Sequence, residues 1–476
     1  MGKDLGRIEQ SPADDRTYRA LELENGLQVL LIHDPTTDKA SAAMSVGVGS
    51  LHDGDVEGLA HFCEHMLFLG TEKYPDEQAY SKYLNQNGGH SNAYTDMDHT
   101  CYFFSVLPGF LEGAVDRFAQ FFISPLFTDS ATAREMQAVD SENNKNLQND
   151  AWRLHQIHCA SAKPGHPLGR FRCGSLKTLL EDPQARGVDV RDCLLRFHAS
   201  YYSSNICRLV VLGREPLDVQ EGWVTRMYEG VPNLNISPPT VPDVPFTSAE
   251  LGHWMTIVPV MDLRLLQLFW PLPPQRARYA SAPTRYLSHL LGHEGAGSVL
   301  SYLKAKQWAN ELSAGGQFDQ REWASLDISI DLTDEGVAHA REVVEVVYAY
   351  LRLLREAGPQ RYVWEEMEQT AANSFRFLSK QQPMSYTSAL SHRMHKYPPQ
   401  HFISGPHLVR EYDPVLIQET LDALRPCHML VMVAAKACAG TADRREPWYG
   451  THYSTRRLTP EELAAFDAAA PACLPP

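Results

Sequence analysis

Residues 61–65 read His-Phe-Cys-Glu-His, and these side chains can do chemistry together. On a helix, the spacing of His61 and His65 puts both imidazoles on one face, one turn apart, with Glu64 beside them. Two imidazoles so placed can ligate one metal ion, and a neighbouring carboxylate can take a proton from a water that the metal has acidified. The chemistry this implies is metal-assisted hydrolysis. Two histidines do not complete a hydrolytic zinc site, which usually takes three protein ligands and keeps a fourth position for water. A third ligand must come from elsewhere.

The elements around the motif fit that use. Residues 56–69, VEGLAHFCEHMLFL, predict a helix that is apolar nearly all round, hence buried, and closed by Gly70. Three ionisable side chains in such a helix are costly unless paired or bound to a metal. The bland alternative is a pair of hydrogen-bonded core histidines, but charge is seldom buried without a partner. The H-x-x-E-H order is the inverted zinc-protease signature. Cys63 lies inside the motif; its plainest role is core packing, although oxidation there would disturb the helix.

The best source of a third ligand is the polar stretch DSATAREMQAVDSENNKNLQNDAWRLHQIH, residues 129–158, which predicts one long helix with an N-cap signal at Asp129 and Ser130. Glu135 and Glu142 lie two turns apart on one face of it. One can bind the metal while the other hydrogen-bonds a ligand, and the helix leaves open which does which. Taken singly, either is more often a solvated surface charge. After the histidine helix, Gly88-Gly89 leads into HSNAYTDMDHTCYFFSV, which reads as a strand. A strand edge near a metal can capture an extended peptide through main-chain hydrogen bonds, although an ordinary sheet edge looks the same in sequence.

At 476 residues and 43% apolar content the chain predicts two or more domains with substantial cores. Residues 231–246, VPNLNISPPTVPDVPF, hold five prolines and read as a linker. The expected division is a catalytic domain over 1–236, a Pro-rich linker over 237–246 and a second domain over 247–476. Each half opens with strands (LQVLLIHD and SAAMSVGVGS; MTIVPV and LRLLQLFW) and continues in amphipathic helices, which predicts a duplicated α+β unit. His289 and His293 echo the one-turn spacing, but Gly292 stands where the base would be, so the second copy has no hydrolytic role. No run of 18 apolar residues and no signal-peptide pattern is present, and acidic Asp4, Glu9, Asp14 and Asp15 argue against a mitochondrial presequence. The expected location is the cytoplasm, away from membranes. Nine cysteines without C-x-x-C pairing suit reduced thiols. Gly6 replaces the Ser or Thr that an N-myristoylation motif needs. A formal charge of −15 argues against nucleic-acid binding.

Several segments together carry a resemblance: HFCEHMLFLGTEKYP, GGHSNAYTDMDHTCYFF, AVDSENNKNLQNDAWR, YYSSN at 201–205, LGHEGAGSVLSYLKAKQW at 291–308 and EPWYGTHY at 446–453. The chain resembles the pitrilysin family of zinc metallopeptidases, and within it the insulin-degrading branch, in register from about Asp14 to Tyr453. The resemblance implies an α+β fold of two homologous domains, each a mostly antiparallel sheet covered by long helices, with one Zn2+ per chain in the first only. It implies Glu142 as the third ligand, Glu135 as its support, and Glu64 as the catalytic base. It also implies that Asn92 and Ala93 contact the substrate backbone, and that Ala314, Gly315 and Gly316 anchor the substrate N-terminus. One additional residue between Trp308 and Gln317 sets this chain apart there; without the family those glycines read as a turn.

The implied function is an endopeptidase acting on short flexible peptides such as insulin, glucagon or amyloid fragments. Members of the branch are about twice as long, and their second half supplies a Tyr and an Arg to the transition state. Losing one such donor costs about 100-fold or more in rate. The alternative expectation is therefore a weak or inactive half-molecule that binds zinc and peptide and needs a partner, either a separate C-terminal half or a second copy. A subunit of a mitochondrial processing peptidase fits the length, but the motifs and the absence of a presequence pattern count against it. In residues 170–179, RFRCGSLKTL, Ser175 stands where the family carries an Asn in a Gly-x-Gly-Asn turn, and a left-handed backbone there would suit Ser less well.

Overall fold

The computed structural model describes residues 2–470; Met1 and residues 471–476, with the ACLPP end and Cys473, lie outside the described residues. Two seven-stranded sheets are present among them. The first contains β1 (Lys3–Asp4), β2 (Thr17–Glu22), β3 (Gln28–His33), β4 (Ala40–Val46), β5 (His90–Thr95), β6 (Thr100–Val106) and β7 (Cys207–Gly213), in the order β1-β2-β3-β7-β4-β6-β5. The second contains β8 (His253–Ile257), β9 (Leu265–Leu272), β10 (Ala309–Gly315), β11 (Ala324–Leu332), β12 (Leu430–Ala434), β13 (Arg444–Arg445) and β14 (His452–Arg457), in the order β10-β11-β9-β12-β8-β14-β13.

Strands form where the sequence concentrates β-branched and apolar residues. Every residue of β4 and of β12 is buried, as befits central strands covered on both faces. Each sheet has one parallel pair, β3 with β7 and β8 with β12, and is otherwise antiparallel. Read inward from the β5 edge, the first sheet runs β5-β6-β4-β7-β3; read inward from the β10 edge, the second runs β10-β11-β9-β12-β8. The parallel pair falls at the same place in both, so the two sheets repeat one topology. β5, with Asn92 and Ala93, and β10, with Ala314 and Gly315, are the corresponding edge strands.

The single expected strand over 90–106 is a hairpin, β5 and β6. Its turn over 96–99 closes through the Asp96 N–H donating to the His99 carbonyl at 2.9 Å. The expected helix over 129–158 is two helices, Asp129–Asn146 and Asp150–Ala160. The break lies where Asn149 takes extended backbone and its side-chain oxygen accepts from the Ala151 N–H, capping a new helix. At the upstream end the capping oxygen is Thr128 Oγ1, which accepts from the Ala131 N–H; Asp129 is already helical.

The chain divides into two compact units, but not as contiguous halves. One holds the residues up to Asn144, Phe171–Thr240 and Ala372–His407; the other holds Lys145–Arg170, Val241–Ala371 and the residues from Leu408 on. The change at Thr240 falls inside the proline-rich stretch, and two excursions depart from a division at 236 and 247. Helix Pro383–Arg393 joins the first unit because it lies on the first sheet, where Thr387 and Ser41, both fully buried, share a hydroxyl hydrogen bond of 2.7 Å. Helix Asp150–Ala160 joins the second because the Asp150 carboxylate accepts from the Val260 and Met261 N–H groups and His158 packs edge-on against Phe269. No helix among the described residues is long and apolar enough to cross a membrane.

Candidate active site

The first unit carries the histidine motif on helix Leu59–Met66, shorter than the predicted 56–69. Gly58 precedes it in a left-handed conformation, and Asp53 satisfies the free amides of the first turn, accepting from Gly58 N at 2.7 Å and Ala60 N at 2.8 Å. A cap of this kind is worth about 1 kcal/mol. Leu59, Ala60, Phe62, Cys63 and Met66 are buried, and a large side chain so buried contributes about 1.5–3 kcal/mol. The helix is thereby fixed in rotation, with His61 and His65 on its less buried side. Cys63 is fully buried and its thiol is pushed up to about 12 by burial, which suits packing rather than reactivity. None of the described cysteines is joined in a disulfide.

Each imidazole is held through Nδ1. His61 Nδ1 donates to the Cys173 carbonyl at 2.6 Å, and His65 Nδ1 donates to Glu135 Oε2 at 3.2 Å. Both Nε2 atoms then face Glu142 Oε2, at 3.9 Å from His61 and 3.4 Å from His65. The three donor atoms lie within 4.8 Å of one another, the one such group of metal-ligating side chains among the described residues. Two donors bound to one tetrahedral zinc stand about 3.3 Å apart, and two imidazoles with one carboxylate are a zinc donor set, so the residues fit that metal. His289 and His293 do not match this pattern. The second helix ends at Leu291, with Gly292 as its cap, so His293 lies beyond it.

Burial works against a charged His65, and the bonds to Glu135 and Glu142 outweigh it, lifting its pKa to about 9. Without metal, that proton contributes stability that is full below the ordinary value near 6.5 and lost as pH rises through 9. A metal takes the proton's place, so the sign reverses for binding. Zinc affinity is expected to rise up to about tenfold per pH unit below pH 9 and to level off above it, measured by competition with a chromophoric chelator. A pH-independent affinity would contradict this.

Glu64 is 7% exposed and accepts a 2.6 Å hydrogen bond from Thr95 Oγ1 at the end of β5. Burial raises its pKa above the ordinary carboxylate value, against the opposing pull of His61, Thr95 and His65. A carboxylate so placed is a stronger base than one in water. Asn92 and Ala93 lie three and two residues before Thr95 on the same edge strand. Ala314 and Gly315 end β10 in strand pairing rather than in a turn, and Gly316 follows, in the second unit.

Sequence reasoning singled out Ser175 in the segment over 171–176 but missed what its backbone does. The Phe171 N–H donates to Glu57 Oε2 at 3.0 Å, the Cys173 carbonyl accepts from His61 Nδ1, and the Leu176 N–H donates to Asp140 Oδ1 at 2.9 Å. The segment thereby ties the histidine helix to the glutamate helix. Gly174, at φ +81°, packs against Gly58, where an added Cβ would stand 2.3 Å from the Gly174 Cα. The left-handed residue of this loop is Gly174; Ser175 is not left-handed, and its N–H donates to Thr178 Oγ1 at 3.0 Å. The paired glycines were the signal available in sequence. Gly58→Ala is expected to displace this loop and lower metal affinity by about 10- to 100-fold, read by the same chelator competition; unchanged affinity would show that the loop does not orient His61.

A duplicated α+β fold whose first unit carries an H-x-x-E-H helix faced by a glutamate from a second helix is the architecture of the inverted-motif metallopeptidases. The chain belongs to peptidase family M16: residues 28–165 match "Insulinase (Peptidase family M16)", residues 189–370 the "Peptidase M16 inactive domain", and residues 375–475 the "middle or third domain" of the same family. It is 45% identical to the insulin-degrading enzyme of Homo sapiens over 97% of this chain and 45% of that protein. It is 41% identical to the A-factor-processing enzyme of Saccharomyces cerevisiae over 92% of this chain and 43% of that protein. Its fold superimposes on crystalline pitrilysin with a TM-score of 0.95 and 28% identity, covering 99% of this chain and 50% of pitrilysin. The chain spans about half the length of these relatives.

Proposed function

We propose that this chain is the metal-bearing half of a zinc endopeptidase that cleaves short, flexible peptides. The observation that supports it most is the convergence of His61 Nε2, His65 Nε2 and Glu142 Oε2 beside a buried Glu64. When bound there, zinc supplies Lewis acidity toward a water and a peptide carbonyl. The Cys173 carbonyl and Glu135 keep the two imidazoles aimed at the shared point. Glu64 takes the proton of the attacking water and returns it to the amine nitrogen as the C–N bond breaks. β5 has no further strand beyond it among the described residues, so the main chain of Asn92 and Ala93 can pair with an extended substrate. Ala314, Gly315 and Gly316 at the end of β10 are the proposed anchor for a substrate N-terminus.

Recognition through the main chain tolerates many sequences, which suits peptides such as insulin, glucagon or amyloid fragments; two relatives bear the names insulin-degrading and A-factor-processing enzyme. Cysteines kept as thiols, without disulfides among the described residues, suit the cytoplasm. The half-length match supports a second reading, in which the chain binds zinc and peptide and turns over only with a partner half or a second copy.

Hydrolysis of a quenched fluorescent peptide by the zinc-loaded chain, alone and mixed with the separately produced C-terminal half of a full-length relative, tests both. Turnover by the chain alone supports a self-sufficient peptidase, and turnover only in the mixture supports the half-enzyme. Absence of turnover in both would overturn the peptidase reading.

A further inference from the structure

We propose that Thr95 is a positioning residue for the base: its hydroxyl fixes the Glu64 carboxylate and couples it to the strand on which substrate is held. The inference rests on the peptidase reading and adds to it a residue that the motif does not contain.

Thr95 Oγ1 donates to Glu64 Oε2 at 2.6 Å, a charge-assisted bond at the short end for O–H donors. The other oxygen, Oε1, accepts no hydrogen bond from the described residues, which leaves it to receive a proton. A glutamate carboxylate, carried on three rotatable bonds, could otherwise present either oxygen in many orientations, and misplacement of a reacting group by about 1 Å can cost about 100-fold in rate. Burial makes Thr95 more important here, because a hydrogen bond to a desolvated charge is stronger than one in water.

Thr95 is itself held firmly. It pairs with Thr100 on β6, and Thr100 is fully buried with its hydroxyl on the Val48 carbonyl at 3.0 Å. The next residue, Asp96, gives its carbonyl to the Ser50 N–H at 2.9 Å and to the Ser50 hydroxyl at 3.2 Å. Gly49 makes this closeness possible: a Cβ there would stand 2.2 Å from the Asp96 carbonyl oxygen. The turn before the histidine helix and the turn after β5 therefore clamp one another, and Thr95 sits at the end of the clamp. Asn92 and Ala93 lie on the same strand, so a peptide paired with β5 shares a rigid ruler with the carboxylate that must reach its scissile bond.

A residue that aims the base, rather than binding substrate or metal, should affect kcat and leave KM and bound metal alone. The test compares wild type, Thr95→Val, which keeps the shape without the hydroxyl, and Thr95→Ser, which keeps the hydroxyl. Each is assayed for peptide turnover under the condition that supports wild-type activity, chain alone or with the partner half, with zinc content measured and the zinc-loaded crystal structure determined. Thr95→Val is expected to lower kcat about 10- to 100-fold with KM within about twofold, one zinc per chain, and a Glu64 carboxylate rotated from its wild-type orientation; Thr95→Ser is expected to recover most of kcat. Equal losses in Val and Ser variants, or an unmoved Glu64 with full kcat in Thr95→Val, would overturn the proposal. If wild type shows no turnover under either condition, the peptidase reading fails by itself, and the Glu64 orientation in the Thr95→Val crystal still decides whether the hydroxyl holds it.

Discussion

Glu64→Gln is expected to lower peptide turnover by about 100- to 10,000-fold while the chain still binds one zinc, because the substitution removes the proton acceptor and leaves the donors His61, His65 and Glu142 in place. The amide keeps the volume of the carboxylate and can still accept from Thr95 Oγ1, so the buried position need not collapse. It cannot take a proton from water near neutral pH. The loss should appear in kcat with KM little changed, since the main-chain edge of β5 is untouched. Equal zinc content and equal thermal stability in mutant and wild type would assign the loss to proton transfer. A fully active Glu64→Gln variant would sink the assignment of the base.

Glu142→Gln is expected to act on the metal instead. Glu142 Oε2 stands opposite both Nε2 atoms and is the one anionic member of the donor group, so its neutralisation removes the charge that favours a divalent cation. Zinc affinity should fall by at least about 100-fold, with turnover restored in part by excess zinc. Glu135→Gln offers the contrast, because Glu135 faces His65 Nδ1 and an amide oxygen can still accept that proton. A Glu142→Gln variant with wild-type zinc affinity, measured by competition against a chelator, would mean that the third ligand lies elsewhere.

The separation of these two glutamates shows how far the sequence could be read. The two-turn spacing of Glu135 and Glu142 limited the choice to a pair, but periodicity could not say which one met the Nε2 atoms of the histidines, because that depends on how one helix is rotated against another. In the structure that rotation is set by the 171–176 segment, through Glu57, the Cys173 carbonyl and Asp140. All three ties use backbone atoms of the loop, and a backbone donor or acceptor leaves little trace in residue type. The apolar runs of β3, β4 and β9 announced themselves, since central strands are read from composition over several residues.

The errors have local causes. The run over 90–106 concealed a turn because Asp96-Met-Asp-His carries no glycine, and the run over 129–158 concealed a break at Asn149, whose side chain caps a second helix. The exchange of segments between the two units also has no signature in sequence. Helix Pro383–Arg393 belongs with the first sheet through pairs such as Thr387 with Ser41, hundreds of residues apart in the chain. Thr95 was invisible for the same reason: nothing in HSNAYT distinguishes a threonine that holds a buried carboxylate from one that merely suits a strand.

Zinc-edge anomalous diffraction from crystals of the zinc-loaded chain measures the central claim most directly. The account predicts one anomalous peak per chain, about 2.0–2.2 Å from His61 Nε2, His65 Nε2 and a Glu142 carboxylate oxygen, with Glu64 outside bonding range of the metal and still holding the Thr95 hydroxyl. A peak ligated by Glu135 or Glu64 in place of Glu142, or no peak at stoichiometric zinc, would contradict it.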